Sequence, residues 1–123
     1  MNSGQIVFFN GTSSSGKTTI AEALQQELSE PYMHVSVDGF FNLYPEKFLE
    51  PKNEEEVLML VELVPRVVSG FHRCVSALAK AGNHLIVDHV LQEEEWLHEC
   101  IKYWGGLDVL FVGVKCPLEI AEQ

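Results

Sequence analysis

The sequence predicts an α/β domain built on a mainly parallel sheet, and three observations carry that prediction. Short apolar runs recur along the chain, amphipathic helical segments separate them, and a loop rich in Gly, Ser and Thr joins the first run to the first helix. An apolar run too short for a helix and lacking polar alternation fits a strand covered on both faces, the usual state of a strand in a parallel sheet. The helical segments between the runs then serve as the crossovers that such a sheet requires.

Each element follows from its residues. Ile6-Val7-Phe8-Phe9 stops at Asn10-Gly11 and reads as a buried strand. Thr18 to Leu28 places Ile20, Ala21, Ala23, Leu24 and Leu28 on one side and Glu and Gln on the other, the pattern of an amphipathic helix that ends before Pro31. Met33 to Val37 is a second strand with Asp38 at its C-terminal end. Gly39 to Pro51 mixes aromatics and prolines without a period and reads as a structured loop. Asn53 followed by Glu54, Glu55 and Glu56 is an N-cap with acids in the first turn. The helical segment it opens runs to about Ala81, stops at Gly82-Asn83, and is expected to kink or divide at Pro65, which removes a backbone donor. His84 to Val87 is a third strand with Asp88 at its end. Glu93 to Trp104 is a helix closed by Gly105-Gly106. Leu107 to Val114 is a fourth strand, and Pro117 suits the first turn of another helix. No linker, repeat or low-complexity tract interrupts residues 1–123, so a single domain is expected.

Composition narrows the function. Apolar residues make up 46% of the 123 and charged residues 21%, values of a chain able to pack a core. The formal charge of −10 repels nucleic acid and anionic membrane surfaces, so neither is an expected partner. No apolar run approaches the ~18 residues of a membrane-spanning helix. The first basic residue is Lys17, which is unlike a secretory leader. Cys74, Cys100 and Cys116 are odd in number and widely spaced, which points to reduced, buried thiols and a cytoplasmic setting.

Gly11-Thr12-Ser13-Ser14-Ser15-Gly16-Lys17-Thr18 matches the phosphate-loop spacing G-x-x-x-x-G-K-[ST]. A loop wrapped around a phosphate aims successive N–H groups inward, which requires glycine where φ is positive or a Cβ would collide with the ligand. The following helix directs its N-terminus at the same phosphates. Lys17 adds a full charge, and the Thr18 hydroxyl suits Mg²⁺. The motif predicts a nucleotide with Mg²⁺, held by local geometry against the global field.

Asp38 and Asp88 both fall at strand ends, on the side where ligands of parallel sheets bind. Each could hold Mg²⁺ or accept a proton from an attacking hydroxyl, and sequence does not separate the two roles. Asp38-Gly39 also fits a hairpin turn, and Asp88 also fits a turn cap. His89, beside Asp88, is a candidate substrate contact, whereas His34, His72, His84 and His98 carry no assigned chemistry. Phe40, Phe41, Leu43 and Tyr44 either line an apolar acceptor pocket or cover the sheet.

The blocks IVFFNGTSSSGKT, HVSVDGFF, HLIVDHVL and LDVLFVGVKCPLEIAEQ resemble the chloramphenicol phosphotransferase family of P-loop kinases in order and spacing, over nearly the whole chain. The resemblance implies a three-layer P-loop kinase-like fold with a mainly parallel sheet of about four strands. It implies ATP-dependent O-phosphorylation of a small-molecule hydroxyl, as in antibiotic resistance through chloramphenicol. It further implies Asp38 as general base, Gly11 to Thr18 as the ATP site, Asp88 near substrate or metal, and the aromatic loop after Asp38, with Phe40 and Phe41, in the acceptor pocket. The residues themselves add Lys17 as a catalytic charge, Thr18 with Asp88 at the metal, and His89 beside the acceptor. Relative to the family the chain lacks a C-terminal part that includes a lid arginine. Its only arginines are Arg66 and Arg73. A strand at Leu107 to Val114 with no later partner suggests a homo-oligomer formed through the free sheet edge. Two alternatives stand beside the kinase: a nucleotide-binding module without competent catalysis, and another P-loop small-molecule kinase. The scarcity of cations favours a neutral acceptor.

Overall fold

The computed structural model describes residues 2–10, 16–89 and 93–113. Four strands form one parallel sheet: β1 (Gln5–Asn10), β2 (Tyr32–Ser36), β3 (His84–His89) and β4 (Asp108–Gly113), in the order β2-β3-β1-β4. The helices are α1 (Lys17–Glu27), α2 (Val37–Phe41), α3 (Glu54–Lys80) and α4 (Glu94–Trp104), with a 3-10 turn at Glu46–Phe48.

The two-residue period of the strands sorts the core into two layers. Ile6 and Phe8 of β1 and Leu85 and Val87 of β3 face Phe71, Val75 and Ala79 of α3 and Cys100 and Trp104 of α4. Val7, Phe9 and Ile86 face the other way, against Ala21 and Leu24 of α1. The result is a three-layer α/β fold, as the sequence predicts. Gly4 holds one corner of it, because a Cβ there would lie 2.0 Å from the Asn83 carbonyl oxygen, and its N–H donates to the Ala79 carbonyl at 2.8 Å.

Local differences have local causes. The second strand ends at Ser36 rather than Val37, because the Ser36 hydroxyl accepts from the Gly39 N–H at 3.1 Å and caps a helical turn. Part of the expected loop 39–51 is therefore helical, in α2 and the 3-10 turn. The hairpin alternative at Asp38-Gly39 is excluded, since these residues lie in α2 and β2 pairs in parallel with β3. Helix α3 runs unbroken through Pro65. The carbonyl that loses its donor belongs to Val61, on the exposed side of the helix, where water can serve it. The third strand extends two residues past its apolar run to include Asp88 and His89, paired with Phe9 and Asn10 of β1. Strand β4 bonds to β1 at an edge of the described sheet, and its Leu110 and Phe111 are about half exposed. Residues 114–123, including the end of the expected fourth strand, Cys116 and the expected helix start at Pro117, lie outside the described residues. Among the described residues no helix is long and apolar enough to cross a membrane.

Candidate active site

The parallel register brings three strand ends to one edge. Phe9 pairs with Asp88 and Ser36 pairs with Asp88 from the other side, so β1 ends at Asn10 and β2 gives way to α2 beside the same carboxylate. The N-terminus of α1 arrives at that edge. Gly16 precedes it with φ 79°, a left-handed conformation that a side chain would strain, which is the role expected for a glycine of a phosphate loop. Lys17 is the first residue of α1. Gly11, Thr12, Ser13, Ser14 and Ser15 lie outside the described residues.

Strand alternation turns Asp88 toward the α1 layer, and there the Thr18 hydroxyl donates to Asp88 Oδ2 at 2.7 Å. Asp88 is 6% exposed. His34 Nε2 of β2 lies 3.6 Å from the same oxygen. A hydroxyl has one proton and two lone pairs, so donation to Asp88 leaves the Thr18 oxygen able to ligate a cation. Two hard oxygen groups this close suit Mg²⁺, which takes one or two protein ligands and completes its shell with water and phosphate. Among the described residues no group of three or more His, Cys, Asp or Glu forms a larger metal cage.

Asp38 sits in the first turn of α2 and is exposed. The same short helix presents Phe40, which lines an open groove of about 290 Å³ with Leu43, Tyr44, Arg66, Val67 and Gly70. Phe40 is anchored edge-on against Phe71 of α3, with ring centroids 5.0 Å apart. Phe41 is half-buried and is not among the groove's lining residues. Arg66 supplies this groove with a cation that sequence reasoning did not assign to it. No local signal marked it, since Arg66 meets Phe40, Leu43 and Tyr44 only through the packing of α2 against α3.

His89 points the opposite way from Asp88. It is 1% exposed, stacked on Trp96 (5.5 Å, 25°), and its Nε2 lies 3.0 Å from Nε2 of the fully buried His72. His72 Nδ1 in turn meets Glu99 Oε1 at 2.7 Å. Burial holds the His72 pKa below its ordinary value, with Glu99 opposing the shift through its hydrogen bond and charge. Burial, with a smaller contribution from Glu99, pushes the Cys100 thiol up to about 12.

A family model for chloramphenicol phosphotransferase-like proteins matches residues 4–123. The chain belongs to the chloramphenicol phosphotransferase-like family. Within curated proteins it is 30% identical over 131 residues to "Putative O-phosphotransferase Rv2636" of Mycobacterium tuberculosis strain H37Rv, covering 93% of this chain and 58% of that protein. The same figures hold for "Putative O-phosphotransferase MT2714" of strain CDC 1551. The chain therefore spans little more than half the length of the curated relatives it matches. Its fold is that of P-loop kinases. The APS kinase CysC of M. tuberculosis, solved in complex with AMPPNP and APS, superposes with a TM-score of 0.73 at 18% identity, over 99% of this chain and 68% of that one. A sugar kinase from Janibacter, solved unliganded, gives 0.62 at 20% identity, over 98% and 64%.

In this member of the chloramphenicol phosphotransferase-like family, the sheet thus brings Thr18, Asp88, His34 and the start of α2 to one edge. His72, Glu99 and Arg66 are the residues sequence reasoning passed over. Extending the third strand by two residues would have placed Asp88 and His89 on opposite faces, but the apolar run gave no reason to extend it.

Proposed function

We propose that the protein is a P-loop O-phosphotransferase that moves the γ-phosphoryl group of ATP to a hydroxyl of a small molecule. The observation that carries this reading is the Thr18 hydroxyl bonded to Asp88 at 2.7 Å, at the N-terminus of α1 behind a left-handed Gly16. In it, the N–H groups of the Gly11 to Thr18 loop and Lys17 bind the phosphates, and Thr18 and Asp88 hold Mg²⁺. Bound Mg²⁺ neutralises charge on the phosphate oxygens. Asp38 accepts the proton of the acceptor hydroxyl as its oxygen attacks the γ-phosphorus and the bond to the ADP leaving group breaks.

The acceptor lies along Phe40 toward Arg66. A mainly apolar groove with one guanidinium suits an aromatic or aliphatic body carrying an oxygen-rich group, chloramphenicol being the family's example. His89 is buried and Phe41 lies outside the groove lining, so Phe40 and Arg66 are the acceptor contacts this reading favours. A cytoplasmic setting, and self-association through the β4 edge, belong to the same reading; sedimentation that finds only monomer would remove the latter.

Calorimetry with magnesium nucleotides and a coupled ADP assay over a panel of hydroxylated acceptors test the proposal. Asp38→Asn should lower turnover by roughly 10²–10⁴-fold and leave nucleotide affinity nearly unchanged. Nucleotide binding without turnover on any acceptor would reduce the protein to a binding module. Absence of binding would end the reading.

A further inference from the structure

The proposed chemistry makes no use of the buried polar chain on the opposite face of the sheet. Glu99 Oε1 of α4 meets His72 Nδ1 of α3 at 2.7 Å, and His72 Nε2 meets His89 Nε2 of β3 at 3.0 Å. The two imidazoles are 0% and 1% exposed, whereas the Glu99 side chain is 27% exposed and reaches solvent. Aromatic rings enclose the pair: Trp96 stacks on His89, and Phe71 and Phe8 meet it edge-on at 5.5 and 6.2 Å. The Trp104 indole N–H donates to the His72 carbonyl at 2.9 Å and ties α4 to α3 at the same level.

We propose that Glu99 and His72 are positioning residues, a one-way hydrogen-bond chain that fixes the tautomer of His89 and, through it, the end of β3 that carries Asp88. The inference rests on the assignment of Asp88 to the proposed phosphotransfer site. The direction of the chain follows from the inventory of donors. An ionised carboxylate only accepts, so His72 must carry its proton on Nδ1 and offers a lone pair at Nε2. His89 must then donate from Nε2. A greasy side chain at position 89 would find several rotations of the strand end about equally acceptable. A donor that must meet one lone pair at 3.0 Å accepts one. Asp88 and His89 are consecutive on opposite faces of β3, so setting the rotation at His89 aims the carboxylate at Thr18. Polar groups buried this deeply destabilise the fold unless they are hydrogen-bonded, and three elements, α3, α4 and β3, converge here to bond both nitrogens of His72 and Nε2 of His89.

Long-range ¹H–¹⁵N spectra of the imidazoles at pH 7.5, with amide hydrogen exchange along β3, test the inference without relying on enzyme activity. The wild type should show His72 protonated at Nδ1 and His89 at Nε2. Glu99→Leu should mix both tautomers and speed exchange at Asp88 and His89 about tenfold relative to Ile86, the equivalent of one charge-assisted hydrogen bond. Glu99→Gln keeps an accepting oxygen and should restore the wild-type pattern. The opposite or mixed tautomers in the wild type would overturn the proposal, as would unchanged exchange at the strand end. Exchange raised uniformly along β3 with tautomers intact would also overturn it, since that reports a merely structural contact. Failure of the wild type to bind nucleotide would remove the proposed function while leaving these readouts in place. Should Glu99→Leu not fold, the wild-type tautomers and Glu99→Gln still decide.

Discussion

Replacing Thr18 by Val removes one hydroxyl and keeps the shape of the side chain, so it isolates the bond to Asp88. Thr and Val have similar helix propensities, and α1 itself should be unaffected. A hydrogen bond to a charged acceptor contributes ~1.5–3 kcal/mol, against ~1 kcal/mol for a neutral pair. Thr18 is exposed, and Asp88 retains other contacts, His34 Nε2 at 3.6 Å among them, so the carboxylate is not orphaned. The expected loss is therefore at the low end, about 1–2 kcal/mol. For a chain of this length that corresponds to a fall in Tm of roughly 4–8 °C. Urea denaturation of the wild type, Thr18→Val, Asp88→Ala and the double variant closes a cycle whose coupling should be about 1–2 kcal/mol, with Thr18→Ser close to wild type. A coupling within about 0.3 kcal/mol of zero would refute the claim that these two side chains form the joint at which sheet and helix meet.

The other predictions concern the opposite layer. Phe71 is fully buried and contacts both Phe40 and His89, so Phe71→Ala should cost about 3–5 kcal/mol in urea denaturation and loosen the groove beside Phe40. His72 has a folded-state pKa below its unfolded value of about 6.5, so its contribution is complete above that pH and is lost as pH falls through the folded pKa. Stability should accordingly decline as pH drops below about 6.5, and His72→Gln should flatten that limb of the profile. Cys100, with its thiol pushed up to about 12 and 1% exposed, should resist alkylation at pH 8 until the protein unfolds, as intact-mass labelling in native buffer and in urea would show.

Much of the scaffold was legible in the residues because its signals are local. The run Ile6 to Phe9, the cap at Asn53, the stops at Gly82 and Gly105-Gly106 and the amphipathic spacing of the helices each act within a few positions, and each marks its element within a residue or two. The misreadings arose where a local signal was overridden. Val37 continues an apolar strand pattern, yet the Ser36 hydroxyl draws it into a helix. Pro65 could divide a helix in two, yet the buried face of Val67, Val68, Phe71 and Val75 keeps α3 continuous across it.

The amino-acid order by itself determined the phosphate-loop pattern, the family resemblance, the strand-helix alternation and the acidic field, since all are properties of neighbours in the chain. Tertiary structure alone decided that Thr18 meets Asp88 across seventy residues, that Arg66 lines the groove of Phe40, and that His89 is committed to His72 and Glu99. Those meetings depend on the strand order β2-β3-β1-β4 and on which face each residue of β3 takes. A change of one residue in register would exchange Asp88 for His89 at the site, and no short stretch of sequence encodes that choice.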